Sequence, residues 1–284
     1  MEGLSALLAL RVALVGVERL LLRRLGDAAG PAACSAVFFG IGALVLLPFA
    51  LRTTPLASAT ARVAVASGLV FAVAYWLYVA ALAHGELSRT APLGSLSSVF
   101  VVVFAWWIHG EALSVPKVVG VILIAVGSAA LQAESRTGGR RVARWAALAM
   151  VGYALLTALT RMLDKTGAGG GASDPARYAF VVFTTVAVCQ LGLLAATGRL
   201  SQVVWLLRTH PASSLGAGLC NGLSFLSLAV LLTRLPVSVA EPVTALSLLV
   251  TAVLAAVVYR EPLAARWLPT LVVVVGSFLV MVRG

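Results

Sequence analysis

Few residues in this chain have side chains suited to acid–base, nucleophilic or metal chemistry, and those few are scattered. The 284 residues include 10 Asp and Glu, 3 His and 3 Cys. His84, His109 and His210 stand at the edges of apolar runs, with no HExxH and no neighbouring carboxylate cluster. They read as loop residues. Cys34, Cys189 and Cys220 lie far apart inside apolar stretches, without CxxC or Cys/His ligand spacing, and read as small buried hydrophobes. The pattern implies no metal site and no cofactor. There is no Gly-x-x-x-x-Gly-Lys-Ser/Thr phosphate loop, so nucleotide hydrolysis is not expected.

Charge set inside apolar sequence is more informative. Arg11 sits in the middle of a run that starts near Leu4, and Glu18 follows seven residues later on the same helical face. A central Arg costs roughly 2.5–3.5 kcal/mol on insertion scales, so it needs a partner or a purpose. It fits an anion-binding charge in a cavity, or a buried pair with Glu18. Arg161, Asp164 and Lys165 close a later run, and Arg161 can reach Asp164 at i, i+3. They fit an interfacial cluster whose long side chains reach for water. Glu241 is the sharpest single residue. It could bind an amine or carry a proton inside a span. It could equally close an S-x-x-E capping box with Ser238. Tyr75, Trp76 and Tyr78, with Asn221, Ser224 and Ser227, offer stacking and hydrogen bonds to a small ligand, or ordinary helix packing. Ser88, Ala91, Ser95 and Ser98 recur on one helical face, which suits a cavity lining or close helix contact. Pro92 and Pro242 fall about one turn into their helices and can act as kinks or hinges.

The elements that must hold these residues follow from hydropathy. Hydrophobic residues make up 61% of the chain and charged ones 11%, with a mean hydropathy of +1.04. A soluble domain carries about a quarter charged residues, so an all-α membrane fold is expected. At roughly 20 apolar residues per span, the apolar runs give ten helices. They are 4–22, 32–51, 62–83, 88–109, 114–132, 145–163, 177–197, 212–233, 237–259 and 263–282. Met1-Glu2-Gly3 has no basic character, so the first run reads as a span rather than a cleaved leader. Runs such as Val99–Trp107 are apolar on every face, which argues against barrel strands. The net charge of +11 is spread over many loops and reads as lipid-facing rather than nucleic-acid-binding.

The two halves repeat. A shift of 150 residues lays Ser88 on Ser238, Pro92 on Pro242, Ser97 on Ser247 and Glu111 on Glu261. This predicts a five-helix unit over 1–132, a basic linker over 133–144 and a second unit over 145–284. Five is odd, so the second copy enters the bilayer inverted. That is an architecture of secondary transporters, with the site between the halves. Inversion also sets Glu111 and Glu261 on opposite membrane faces, as turn or capping residues rather than a catalytic pair.

Two stretches carry a resemblance. Tyr78–Leu131 has Ser88, Pro92, Gly110-Glu111 and Leu113; Val230–Met281 has Ser238, Pro242, Glu261 and Leu263. Both resemble the EamA-type repeat of the drug/metabolite transporter superfamily. Arg260 and Glu241 depart from the first copy's Gly110 and Ala91. The resemblance implies a ten-span carrier, not an enzyme, in the cell inner (plasma) membrane. It would move a small polar or amphiphilic metabolite, such as an amino acid, by alternating access, with export as the expected direction. The implied partners are the small-molecule substrate, membrane lipid and a coupling proton or Na+. Two other readings stand beside it: an intramembrane enzyme on a lipid-linked substrate, and a non-transporting scaffold. The resemblance implies cytoplasmic termini. Loop charge leans the other way, with 8 Lys and Arg on the inner loops against 11 on the outer for an internal N-terminus.

Overall fold

The computed structural model describes residues 2–84, 93–94, 96–133, 140–169, 174–259 and 267–281. Among these residues the chain is helical. The helices are α1 (Glu2–Ala28), α2 (Pro31–Leu51), α3 (Ser58–His84), α4 (Leu96–His109), α5 (Val115–Ala133) and α6 (Arg140–Ala168). They continue with α7 (Pro175–Ala196), α8 (Ser201–Thr209), α9 (Pro211–Leu232), α10 (Val237–Ala240), a 3₁₀ turn over Pro242–Leu246, α11 (Ser247–Tyr259) and α12 (Trp267–Met281).

Local chemistry sets many of the boundaries. Pro31, Pro175 and Pro211 each open a helix at its first turn, where a missing N–H costs nothing. Asp174 caps α7 by accepting from the N–H groups of Ala176 at 2.8 Å and Arg177 at 3.2 Å. Gly110 takes φ +65°, the left-handed region, and turns the chain out of α4. The Glu111 N–H then donates back to the Ala105 carbonyl at 3.1 Å.

Five helices are long and apolar enough to cross a bilayer: α2, α3, α7, α9 and the Arg144–Ala168 part of α6. Shorter apolar helices lie in α4, α5, α11 and α12. Their outer faces expose Leu44, Val73, Trp107, Leu148, Val257 and Leu268, the surface that hydrocarbon would solvate. α1 is 27 residues long and carries five charges over Arg11–Arg24; Arg11, Glu18 and Arg19 are buried.

Four expectations change. The expected ninth span, 237–259, is not continuous. Pro242 lacks the N–H that would continue α10, and the chain tightens into a 3₁₀ turn in which the Thr244 N–H donates to the Glu241 carbonyl at 2.9 Å. The first helix runs past 22 to Ala28, and the sixth spans Arg140–Ala168 rather than 145–163. A short helix, α8, fills the stretch expected to be loop between 197 and 212.

The most extensive contacts join an early helix to a late one: α3 with α6, α5 with α12, α2 with α7, and α1 with α9. α1 also packs on α11, and α4 on α6. The α5–α12 contact is backbone-close, since a Cβ added at Gly276 would stand 2.7 Å from the Gly120 carbonyl oxygen. The core holds Phe38, Phe39, Phe71, Tyr75, Phe183 and Phe225, packed edge-on or tilted.

Candidate functional site

Six charged side chains are buried among the described residues: Arg11, Glu18, Arg19, Arg161, Asp164 and Glu241. Three cations and three carboxylates sum to zero, the balance that an apolar interior demands. They converge from α1, α6 and the break after α10. The periodicity of each element delivers them to one place. Arg11 and Glu18 are two helical turns apart on α1, and Arg161 and Asp164 are neighbours on α6. The break at Pro242 brings Glu241 and Thr244 in from the other side.

Glu241 Oε2 is the meeting point. It accepts from Arg161 Nε at 2.9 Å and from Arg11 Nη2 at 3.3 Å. Arg161 and Arg11 are themselves 150 residues apart (161 − 11), the offset of the sequence repeat. Arg11 also donates from Nε to Thr244 Oγ1 at 2.8 Å and from Nη1 to the Ser224 carbonyl at 2.9 Å. Arg161 Nη1 donates to Asp164 Oδ2 at 2.8 Å. Asp164 Oδ1 accepts from Ser67 Oγ at 2.7 Å and from the Tyr178 hydroxyl at 3.0 Å. The Arg161 guanidinium lies 5.3 Å from the Phe71 ring centre and 5.6 Å from that of Phe225, which replaces lost hydration with aromatic faces. Glu18 Oε1 accepts from the Tyr75 hydroxyl at 2.8 Å.

These groups surround a cavity of about 50 Å³, room for a few water molecules. Arg11, Glu18, Arg19, Tyr75, Tyr78, Tyr153, Arg161, Asn221, Ser224 and Glu241 all line it. Tyr78 and Tyr153 stack at 4.5 Å on one wall. A cavity this small, walled by charge, holds a few waters rather than a whole metabolite. Among the described residues, no group of three or more His, Cys, Asp and Glu is arranged to hold a metal ion.

A sequence model of the EamA-like transporter family matches residues 4–131. Over that stretch, a little under half of the sequence, the chain is similar to the EamA-like transporter family. The match and the apolar helices together support a multi-pass membrane protein. Among solved structures, 28 chains match. One, described only as the crystal structure of a protein, covers 97% of this chain and 96% of its own, with a TM-score of 0.71 at 18% identity. At that identity the likeness establishes the shared fold. No curated protein matches.

Of the residues singled out in sequence, Arg11, Tyr75, Tyr78, Asn221, Ser224 and Glu241 come together at the cavity. Ser88, Pro92, Ser95 and Glu261 lie outside the described residues. Pro242 stands at the helix break. Two expected contacts change partners, while Arg161 and Asp164 pair at i, i+3 as expected. Arg11 pairs with Glu241, and Glu18 bonds to Tyr75. Arg161 and Asp164 are core residues at 5% and 1% exposure, not interfacial ones. The Ser238 capping box is not formed, because Glu241 points to the two arginines. Glu111 caps α10 instead, accepting from the N–H groups of Val237 at 3.1 Å and Ser238 at 3.2 Å, and from the Ser238 hydroxyl. Trp76, expected with its neighbouring tyrosines, faces outward.

Ser67, Tyr153, Tyr178 and Thr244 carry no signal in the sequence, since each is an ordinary residue in an apolar stretch. Arg19 is, in sequence, one more charge beside Glu18. Spacing could have flagged Ser67, Phe71, Tyr75 and Tyr78, which recur along one face of α3.

Proposed function

We propose that this EamA-like chain is a secondary transporter that moves a small polar or amphiphilic metabolite across the cell membrane by alternating access, outward from the cell. Its ten apolar segments are read as ten spans in two inverted five-helix repeats, 1–132 and 145–284 joined by 133–144, with both termini cytoplasmic. The observation that carries this reading is the shared cavity. Arg11 from the first half and Arg161 from the second meet on one carboxylate, Glu241. The packing supports the repeat. α1 on α9 matches α6 on α3 when the halves are exchanged, and α1 on α11 matches α6 on α4.

In this reading the ion pairs form the closed floor of the transport path. Desolvated charges hold well only while both partners are in place. A substrate or coupling ion that competes for Glu241 loosens the contact between halves, and water entering from one side stabilises the separated charges. The gradient of a proton or Na+, or of the substrate itself, supplies the drive. Pro242 and the 3₁₀ turn give the moving element a joint.

The test is flux into proteoliposomes across amino acids, organic acids, sugars and organic cations, with and without a proton gradient. The reading expects saturable flux of at least one class. It also expects Glu241→Gln to reduce that flux by roughly tenfold or more, the effect of removing a charge-assisted contact. Unchanged flux and pH profile in Glu241→Gln would remove the site assignment.

A further inference from the structure

The cavity's hydrogen-bonding capacity is not evenly filled. Arg11 makes three hydrogen bonds, Arg161 makes two and is flanked by two rings, and Glu241 accepts two. Arg19 differs. It is 8% exposed and lines the cavity, and its Nε and Nη1 have no hydrogen-bond partner. Asn221 lines the same cavity at 2% exposure, and its Nδ2 is also without a partner. Buried donors are nearly always satisfied, so unsatisfied ones at a functional cavity indicate a partner supplied from outside.

All three unpaired atoms are donors, so the missing partner is an acceptor. The ion pairs also bear on its charge. Asp164 neutralises Arg161 at 2.8 Å and Glu241 lies between Arg161 and Arg11, so among the described residues Arg19 is the buried guanidinium with no carboxylate in ion-pair contact. A singly charged anion supplies that contact while adding the least negative charge beside Glu18 and Glu241. We propose that the cavity binds a monocarboxylate, its carboxylate oxygens accepting from Arg19 Nε or Nη1 and from Asn221 Nδ2. This rests on the transport reading for what happens next, but not for the binding itself. The carboxylate docks beside Glu18, which Tyr75 holds by its hydroxyl. The rest of the molecule lies along the Tyr78–Tyr153 stack. Tight binding needs the cavity to widen, so the carboxylate selects the opened form.

The experiment measures binding and flux separately on the full chain. Binding is read as thermal stabilisation of detergent-purified protein by matched probes that differ in one group: hexanoate, hexanamide, hexylamine, adipate and hexyl phosphate. Flux is read in proteoliposomes with a panel of small monocarboxylates. Hexanoate is expected to stabilise the protein where the amide and the amine do not, and more than adipate or hexyl phosphate does. Arg19→Gln weakens hexanoate binding roughly tenfold or more, and Arg19→Lys recovers part of it. Asn221→Asp, which sets a like charge in the subsite, weakens it as well. Where Arg19→Gln fails to fold, Asn221→Asp carries the same comparison. Carboxylate binding without flux would leave the subsite standing and remove the transport reading. Stabilisation by hexanamide or hexylamine equal to that by hexanoate, or hexanoate binding within twofold of wild type in both variants, would overturn the subsite. Neither binding nor flux would overturn both.

Discussion

At the residue scale, the site is a chain of charges in which each carboxylate serves more than one donor. Asp164 holds Arg161, Ser67 and Tyr178 together, so it joins α6 to α3 and α7. Removing one member of a buried pair leaves the other uncompensated, which costs about 3 kcal/mol. Asp164→Leu is therefore expected to lower the thermal midpoint in detergent by several degrees. The double variant Arg161→Met with Asp164→Leu should be less destabilised than the two single changes added together, because no charge is then stranded. Simple additivity in that cycle would mean that the pair is not coupled as drawn. The same logic shows why these residues were visible in sequence but their partners were not. A lone Arg or Glu inside an apolar run announces that a partner exists. The helical period gives the face it points from, and nothing in the local sequence gives the face it points to.

At the element scale, the informative feature is the break between α10 and α11. Pro242 predicts it, since a proline removes the hydrogen bond that would carry the helix on. Its stabilisation comes from elsewhere. Glu111, placed by the left-handed turn at Gly110, caps the first turn of α10. Lys165 of α6 donates to the carbonyls of Leu232 at 2.8 Å and Leu235 at 3.0 Å, at the chain's exit from α9. The broken element is thus held at its near end by residues of α6 and of the turn after α4. Glu111→Ala is expected to cost about 1–2 kcal/mol, the range of a lost cap. The loss should appear as lower thermal stability, with faster hydrogen exchange over 237–246 than over α9. Exchange that rises equally throughout the chain would mean that Glu111 supports the fold globally rather than this element. The capping box read in the sequence fails for a physical reason. Glu241 has two guanidinium groups within reach, and a charged hydrogen bond outcompetes a backbone N–H.

At the scale of the whole molecule, the four most extensive helix contacts all run between the early and late parts of the chain. A half made of α1–α5 would expose the faces of α1, α2 and α3 that now cover α9, α7 and α6. Expressed alone, residues 1–139 and residues 140–284 are each expected to be degraded or to aggregate. Co-expressed, they are expected to assemble and co-purify from membranes. Independent accumulation of either half as a folded monomer would show that it can satisfy its own buried faces, against the interlocked packing. The outer surface, rich in exposed Leu, Val and Trp, needs no partner chain to explain it, because lipid fulfils that role.

Composition alone determined the solvent of this protein. With 61% hydrophobic and 11% charged residues, its outer face belongs in hydrocarbon, and runs apolar on every face make helices rather than barrel strands the way its backbone satisfies its own hydrogen bonds. Apolar run length located most of the helices, and isolated charges marked where the interior is polar. Only the tertiary structure decided the pairings. Arg11 reaches Glu241, 230 positions away, rather than Glu18 on its own helix, and Glu111 caps a helix 126 positions on. Sequence period fixes which side of a helix a residue occupies. Which helix lies against that side is chosen by packing across the whole chain, where glycine-close contacts and the balance of buried charge are satisfied together.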